Sequence, residues 1–154
     1  MFWLISGPIF NEVNDLGPKF KKNPNYLFFL KTFFSRGKTA EEGTKDVIEV
    51  QIPAMQELIR QGKLNIENVD VFCEKGVYNV DQTRRILKEA RKGGFRINFH
   101  GEELCLLNSV EMGANEFQCE AISHLEEISD EGIEAMAKSK SVGVILPTTA
   151  YILR

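Results

Sequence analysis

The sequence predicts an α/β protein built on a parallel sheet, and three observations carry that prediction. Short β-prone runs begin near residues 69, 95, 120 and 141. A helical pattern lies between each pair, and strands alternating with helices at this pitch make βαβ units. The chemistry-bearing side chains follow the strands directly, at the rim where parallel α/β sheets carry their sites.

With 154 residues, one domain with a real core is the natural expectation. The composition, 43% hydrophobic and 27% charged, is that of an ordinary globular chain. A formal charge of -3 argues against a nucleic-acid groove, which needs a basic surplus. Cys73, Cys105 and Cys119 are odd in number and lack a C-x-x-C spacing, so buried thiols in a reducing cytoplasm fit better than a disulfide frame. The apolar start Met1–Ile5 stops at Ser6-Gly7-Pro8, too short for a membrane helix and without the basic flank of a signal peptide.

Residues 1–24 hold three prolines, three asparagines and no clear apolar period, which reads as a loop or arm. Tyr26–Leu30 is a continuous apolar strand, extending towards Phe34, of the kind covered on both faces. Thr39-Ala40-Glu41-Glu42 has the form of a capping box. In the helix that follows, Ile48, Ile52, Met55 and Ile59 share a face, and Pro53 should kink or divide it near Gln51. Gly62 stops it. Asn68–Cys73 is the next strand and Glu74-Lys75-Gly76 the turn. Asn79 and Gln82 cap a second helix whose buried face is Ile86, Leu87 and Ala90, ended by Gly93-Gly94. Phe95–Phe99 is a strand, Leu104–Met112 a helix, and Ala121–Ser123 a strand ending on His124. Ser129-Asp130 caps a helix with Ile133, Met136 and Ala137, and Val142–Leu146 is a last strand closed by Pro147.

No G-x-G-x-x-G or P-loop stands at the first strand-to-helix turn, so a doubly wound nucleotide fold lacks its usual signal. A full eight-stranded barrel takes about 250 residues, with roughly 200 as a lower limit. This chain offers five strands, about half a barrel plus one, and looks cut after Tyr151–Arg154.

The strand ends carry Cys73-Glu74, His100-Gly101-Glu102-Glu103, His124-Leu125-Glu126-Glu127 and Pro147-Thr148-Thr149. Both histidines of the chain follow consecutive strands, whose backbones would lie about 4.8 Å apart if paired. A shared pocket is the functional reading; two hydrogen-bonded structural histidines are the bland one. Of Glu102 and Glu103 only one can face such a pocket. Glu74 belongs to the turn on this reading, Cys73 to packing, and Cys105 and Cys119 lack a partner that would activate a thiolate. Two histidines and a glutamate also make a possible zinc set, weakened by the absence of a fixed ligand pair on one element.

Four stretches give the chain a specific likeness: Asn68–Val77, Asn98–Leu104, Ala121–Glu127 and Leu146–Tyr151. Together, from about Gly37 to Arg154, they resemble imidazolonepropionase of the amidohydrolase superfamily. The resemblance implies a metal-dependent (β/α)8 TIM barrel, of which about half is present. It thus divides the chain into residues 1–36, unaligned, and a partial barrel domain over 37–154. It implies hydrolysis of the cyclic amide 4-imidazolone-5-propanoate to N-formimidoyl-L-glutamate in histidine degradation, with one divalent zinc or iron. On the matching positions His100 is a metal ligand, Glu103 the carboxylate that contacts substrate and handles protons, and His124 the histidine beside the metal-bound water.

Departures from the pattern shape the expectation. The family's His-x-His pair is absent, a further family histidine falls near Thr32, and the chain stops before the strand that supplies the metal aspartate. The expectation is therefore an internal piece of a hydrolase, inactive alone and without tightly bound metal. Its rivals are a catalytically dead half-barrel that serves as a binding module and a doubly wound protein whose His100/His124 site takes a small anion. The unpaired edge of half a barrel invites association into a homo-oligomer.

Overall fold

The computed structural model describes Trp3–Ile5, Phe28–Thr32 and residues 39–153. Six strands form one sheet in the order of the chain: β1 Trp3–Ile5, β2 Phe28–Thr32, β3 Ile66–Cys73, β4 Arg96–Gly101, β5 Ala121–His124 and β6 Val142–Val144. Every neighbouring pair is parallel. The expected α/β class with a parallel sheet is what the chain adopts. Among the described strands the order never reverses, so the switch point that defines a doubly wound sheet is missing.

Trp3–Ile5 is a strand where the sequence reads as an arm. Three residues are too few to display a period of two, and the pairing with β2 makes it a strand. The rest of the expected arm, and the ends of the strand expected over Tyr26–Phe34, lie outside the described residues.

The helices open as their caps require. Helix α1, Ala40–Asp46, starts from the Thr39–Glu42 capping box, with both reciprocal hydrogen bonds made. A π-helical turn, Val47–Gln51, joins it to α2, Ile52–Arg60. Pro53 has no N–H to give, and the ladder widens just before it: Ile52 N–H donates to Val47 O, five residues back. That extra residue rotates the buried face, so Val47 and Thr44 are fully buried whereas Ile48 is only partly so. Helix α3, Val80–Lys92, has the Asn79–Gln82 capping box and buries Thr83, Ile86, Leu87 and Ala90. Gly94, with φ +85°, turns the chain into β4.

The helix expected from Leu104 begins five residues later. A short α4, Ser109–Glu111, runs into a second π-helical turn, Met112–Phe117. Leu104 and Leu106 are exposed, because residues 102–108 are drawn into a loop by the buried carboxylate of Glu102. Helix α5, Asp130–Lys138, is capped by Ser129 and buries Gly132 and Ala135, while Ile133 stays in solvent. The last strand is three residues long and exposed, and Pro147 opens a helix, α6, Pro147–Leu153, that the sequence reading lacked. Proline suits the first turn of a helix, since its missing N–H is unpaired there anyway.

The two faces of the sheet differ. Val69, Val71, Cys73, Ile97, Phe99 and Ile122 join the core beneath the helices, with Ile86, Leu87, Met55 and Val110. Helix α3 packs on β3 and β4, the first π turn packs on α3, and the second π turn lies between α3 and α5. Alternation puts Asn68, Asp70, Asn98 and His100 on the other face. There Asn98 Nδ2 donates to Asn68 Oδ1 at 3.4 Å, and Asn98 Oδ1 accepts from Ala121 N–H at 3.2 Å.

Candidate functional site

The carboxyl ends of β3, β4 and β5 bring together the residues named from sequence. His100 is the fifth residue of β4 and His124 the last of β5, and their ring centroids are 5.2 Å apart. His124 Nε2 stands 3.3 Å from Glu103 Oε2, and its Nδ1 3.5 Å from Glu126 Oε2.

Strict alternation would turn His124 away from His100, since His124 pairs with Gly101 rather than with His100 itself. The backbone prevents that. His124 has φ +84° and Leu125 φ +73°, two successive left-handed residues without glycine. Such strain persists only where surrounding contacts over-determine it, and it concentrates at functional positions. Leu125 N–H to Gly101 O at 3.2 Å and Glu127 N–H to Glu102 O at 2.9 Å hold the turn against the end of β4.

His100 is oriented from behind. Its Nδ1 lies 2.9 Å from Asp70 Oδ1, and the side chain of Asp70 is 5% exposed. A carboxylate accepts and cannot donate, so the ring offers Nδ1–H to Asp70 and its lone pair lies on Nε2. This is the arrangement that prepares a histidine to ligate a metal. Phe72 meets the same ring edge-on. The sequence reading passed over Asp70. Its signal is a carboxylate set between Val69 and Val71, two residues before Phe72.

The two adjacent glutamates part company. Glu103 faces His124 and the hollow beyond it, which is lined by Leu104, Glu126, Glu127, Ala150 and Leu153. Glu102 is 1% exposed, and its Oε1 accepts from Ser109 N–H at 2.8 Å and Ser109 Oγ–H at 2.6 Å. Glu74 is likewise buried and does more than carry its turn: it accepts from Lys75 N–H at 2.7 Å and from Leu104 N–H at 2.9 Å. Thr148 and Thr149 are on α6, and the hollow is walled instead by Ala150 and Leu153 of that helix.

The thiols stand apart. Burial raises Cys73 to about 11 and Cys119 to about 12, so neither is a nucleophile near neutral pH. Glu126 Oε1 and Oε2 and His124 Nδ1 are buried and make no hydrogen bond among the described residues. Buried polar atoms left this way mark a place where a polar ligand or water would be accommodated.

No protein-family model matches the chain. Curated proteins do. Over 119 residues, 77% of this chain, it is 55% identical to the probable imidazolonepropionase of Mus musculus, 56% to that of Danio rerio and 52% to that of Homo sapiens. The chain is a relative of the imidazolonepropionases. It spans 27–28% of the length of those relatives. The match is about as long as the likeness read from Gly37 onwards, and wherever it begins it includes His100 and Glu103, since 119 of 154 residues must cover the middle of the chain. Among the described residues no helix is long and apolar enough to cross a membrane. Nor do three His, Cys, Asp or Glu side chains group there to share a metal ion. The pairing of His100 with Asp70 is thus the arrangement among the described residues that would suit a single metal-ligating imidazole.

Proposed function

We propose that this chain supplies one sector of an imidazolonepropionase active site within a partial (β/α)8 barrel of the amidohydrolase type. The observation that carries the reading is the convergence of Glu103 on His124 at 3.3 Å, with His100 beside them. A parallel sheet in chain order, with α3, the second π turn and α5 packed one against the next, supports the barrel.

The reaction is hydrolysis of 4-imidazolone-5-propanoate to N-formimidoyl-L-glutamate. Water adds to the ring carbonyl and the carbonyl carbon–nitrogen bond breaks. A cyclic amide is a poor electrophile, and a zinc or iron ion, when bound, polarises the carbonyl and lowers the pKa of water. His100 Nε2 would be this chain's ligand to that ion, with Asp70 fixing the ring. Glu103 Oε2 takes a proton from the attacking water and returns it to the leaving nitrogen. His124 donates a hydrogen bond to the oxygen on which negative charge develops. The other ligands of the site come from outside the described residues, and we expect this chain alone to be inactive and to hold no stoichiometric metal. Its three free thiols fit a reducing, cytoplasmic setting.

The test is a transplant. The matching 119-residue segment of a curated relative is replaced by that of this chain, and imidazolone hydrolysis is measured. An active chimera that loses turnover with His100→Ala and with Glu103→Gln supports the proposal. A folded, metal-loaded chimera without activity would count decisively against it.

Exposed apolar residues on β6, on α6 and between them (Val142, Tyr151, Ile152 and Ile145) support the second reading, a half-barrel that binds a partner or another copy of itself. Sedimentation of the isolated chain separates the two: a concentration-independent monomer removes self-association.

A further inference from the structure

We infer that Glu74 is a positioning residue for Glu103, acting across the gap between the ends of β3 and β4. The inference rests on the reading of Glu103 and His124 as working groups. Glu103 sits in a loop, residues 102–108, with no regular hydrogen-bond ladder to hold its backbone. Side chains on loops are placed only as well as the contacts that pin them.

Here the pinning comes from two buried carboxylates. Glu102, at φ +58°, folds back to take Ser109 N–H, Ser109 Oγ–H and, at 3.3 Å, Leu107 N–H, which closes the far end of the loop. Glu74 closes the near end from a different strand. Its Oε1 takes Lys75 N–H at 2.7 Å, which ties the carboxylate to its own turn, and its Oε2 takes Leu104 N–H at 2.9 Å. Leu104 is the residue directly after Glu103, so this bond fixes the peptide unit from which the Glu103 side chain departs. Leu104 is 51% exposed and gives the loop little packing of its own. Carboxylate-to-amide bonds inside a low-dielectric interior are strong and directional. Glutamine at 74 keeps the shape but has one acceptor oxygen, so it serves Lys75 or Leu104 and not both.

Nitrogen-15 NMR of the histidine rings in the full 154-residue chain tests this without any turnover. Glu103→Gln shifts the His124 ring resonances. In a Glu74→Gln background that shift falls at least about threefold, while the effect of Asp70→Asn on His100 persists, as a double-mutant cycle requires of coupled and uncoupled pairs. An undiminished Glu103 effect, or loss of both effects together, overturns the clamp. No Glu103 effect in the otherwise unaltered chain overturns the site reading itself. Hydrogen exchange supplies an arm that survives misfolding of the variant. The Leu104 amide of the unaltered chain exchanges at least about tenfold more slowly than its local sequence dictates for an open chain; exchange at the open-chain rate overturns the inference.

Discussion

Asp70 and His100 meet at 2.9 Å between Oδ1 and Nδ1, although thirty residues separate them in the chain. The bond runs diagonally across the parallel pair, because Asp70 is in register with Asn98 and His100 with Phe72. It decides which imidazole nitrogen points into the rim.

Removing that carboxylate should release the tautomer. In the unaltered chain the neutral His100 ring carries its proton on Nδ1. In Asp70→Asn the amide can accept or donate, and a mixture with the Nε2–H form is expected. Long-range proton–nitrogen correlation of the ring reads this directly. A ring that is Nε2–H in the unaltered chain would sink the assignment.

The neighbours Glu102 and Glu103 should differ in stability. Glu102→Ala strands Ser109 N–H and Leu107 N–H in a buried setting, at a cost of about 1–3 kcal/mol. Glu103→Gln changes a side chain that touches His124 and caps nothing, so stability should move by less than about 0.5 kcal/mol. Urea midpoints measure both. Equal losses would show that Glu103 carries structure.

Gly101 is a packing requirement at the end of β4. A Cβ there would stand 2.6 Å from Phe99 Cε2 and 2.7 Å from Ser109 Oγ. Gly101→Ala must push Phe99 or Ser109 aside and is expected to cost about 1–3 kcal/mol. Calorimetry of the pair of proteins checks it, and an unchanged melting temperature contradicts the packing described.

Cys73 and Cys119 make stability fall in alkali. Their ordinary value is 9.0, and burial raises them to about 11 and about 12. Above pH 9 the unfolded thiols lose protons while the folded ones keep theirs, so the unfolded state binds fewer protons and the slope of stability with pH is negative. This contribution is whole below pH 9 and is lost as pH rises through about 11–12. Denaturation midpoints measured from pH 8 upwards should drop more steeply in the unaltered chain than in Cys73→Ala/Cys119→Ala. Parallel curves would exclude the thiols as the cause.

Local rules account for much of the fold. The capping boxes at Thr39 and Asn79, the cap at Ser129 and the ends at Gly62 and Gly93-Gly94 follow from side-chain chemistry within four residues, so they are legible in one dimension. So are the central strands, whose apolar residues recur at short range. The α4 start is not legible, because Leu104 and Leu106 mimic a helical face while Glu102, reaching seven residues ahead, holds them in a loop. The strand at Trp3–Ile5 becomes one only through its partner β2.

The site divides along the same line. By itself the sequence determined that two histidines and their glutamates follow consecutive strands, because strand ends and residue order are local properties. Tertiary structure alone decided that Asp70 orients His100 and that left-handed backbone at His124 and Leu125 brings its ring beside His100. It also decided that Glu102 turns inward while Glu103 faces His124. The first and last of these depend on contacts between segments more than twenty residues apart, and the turns at Glu102, His124 and Leu125 on left-handed backbone that only surrounding contacts sustain; the sequence pattern encodes neither.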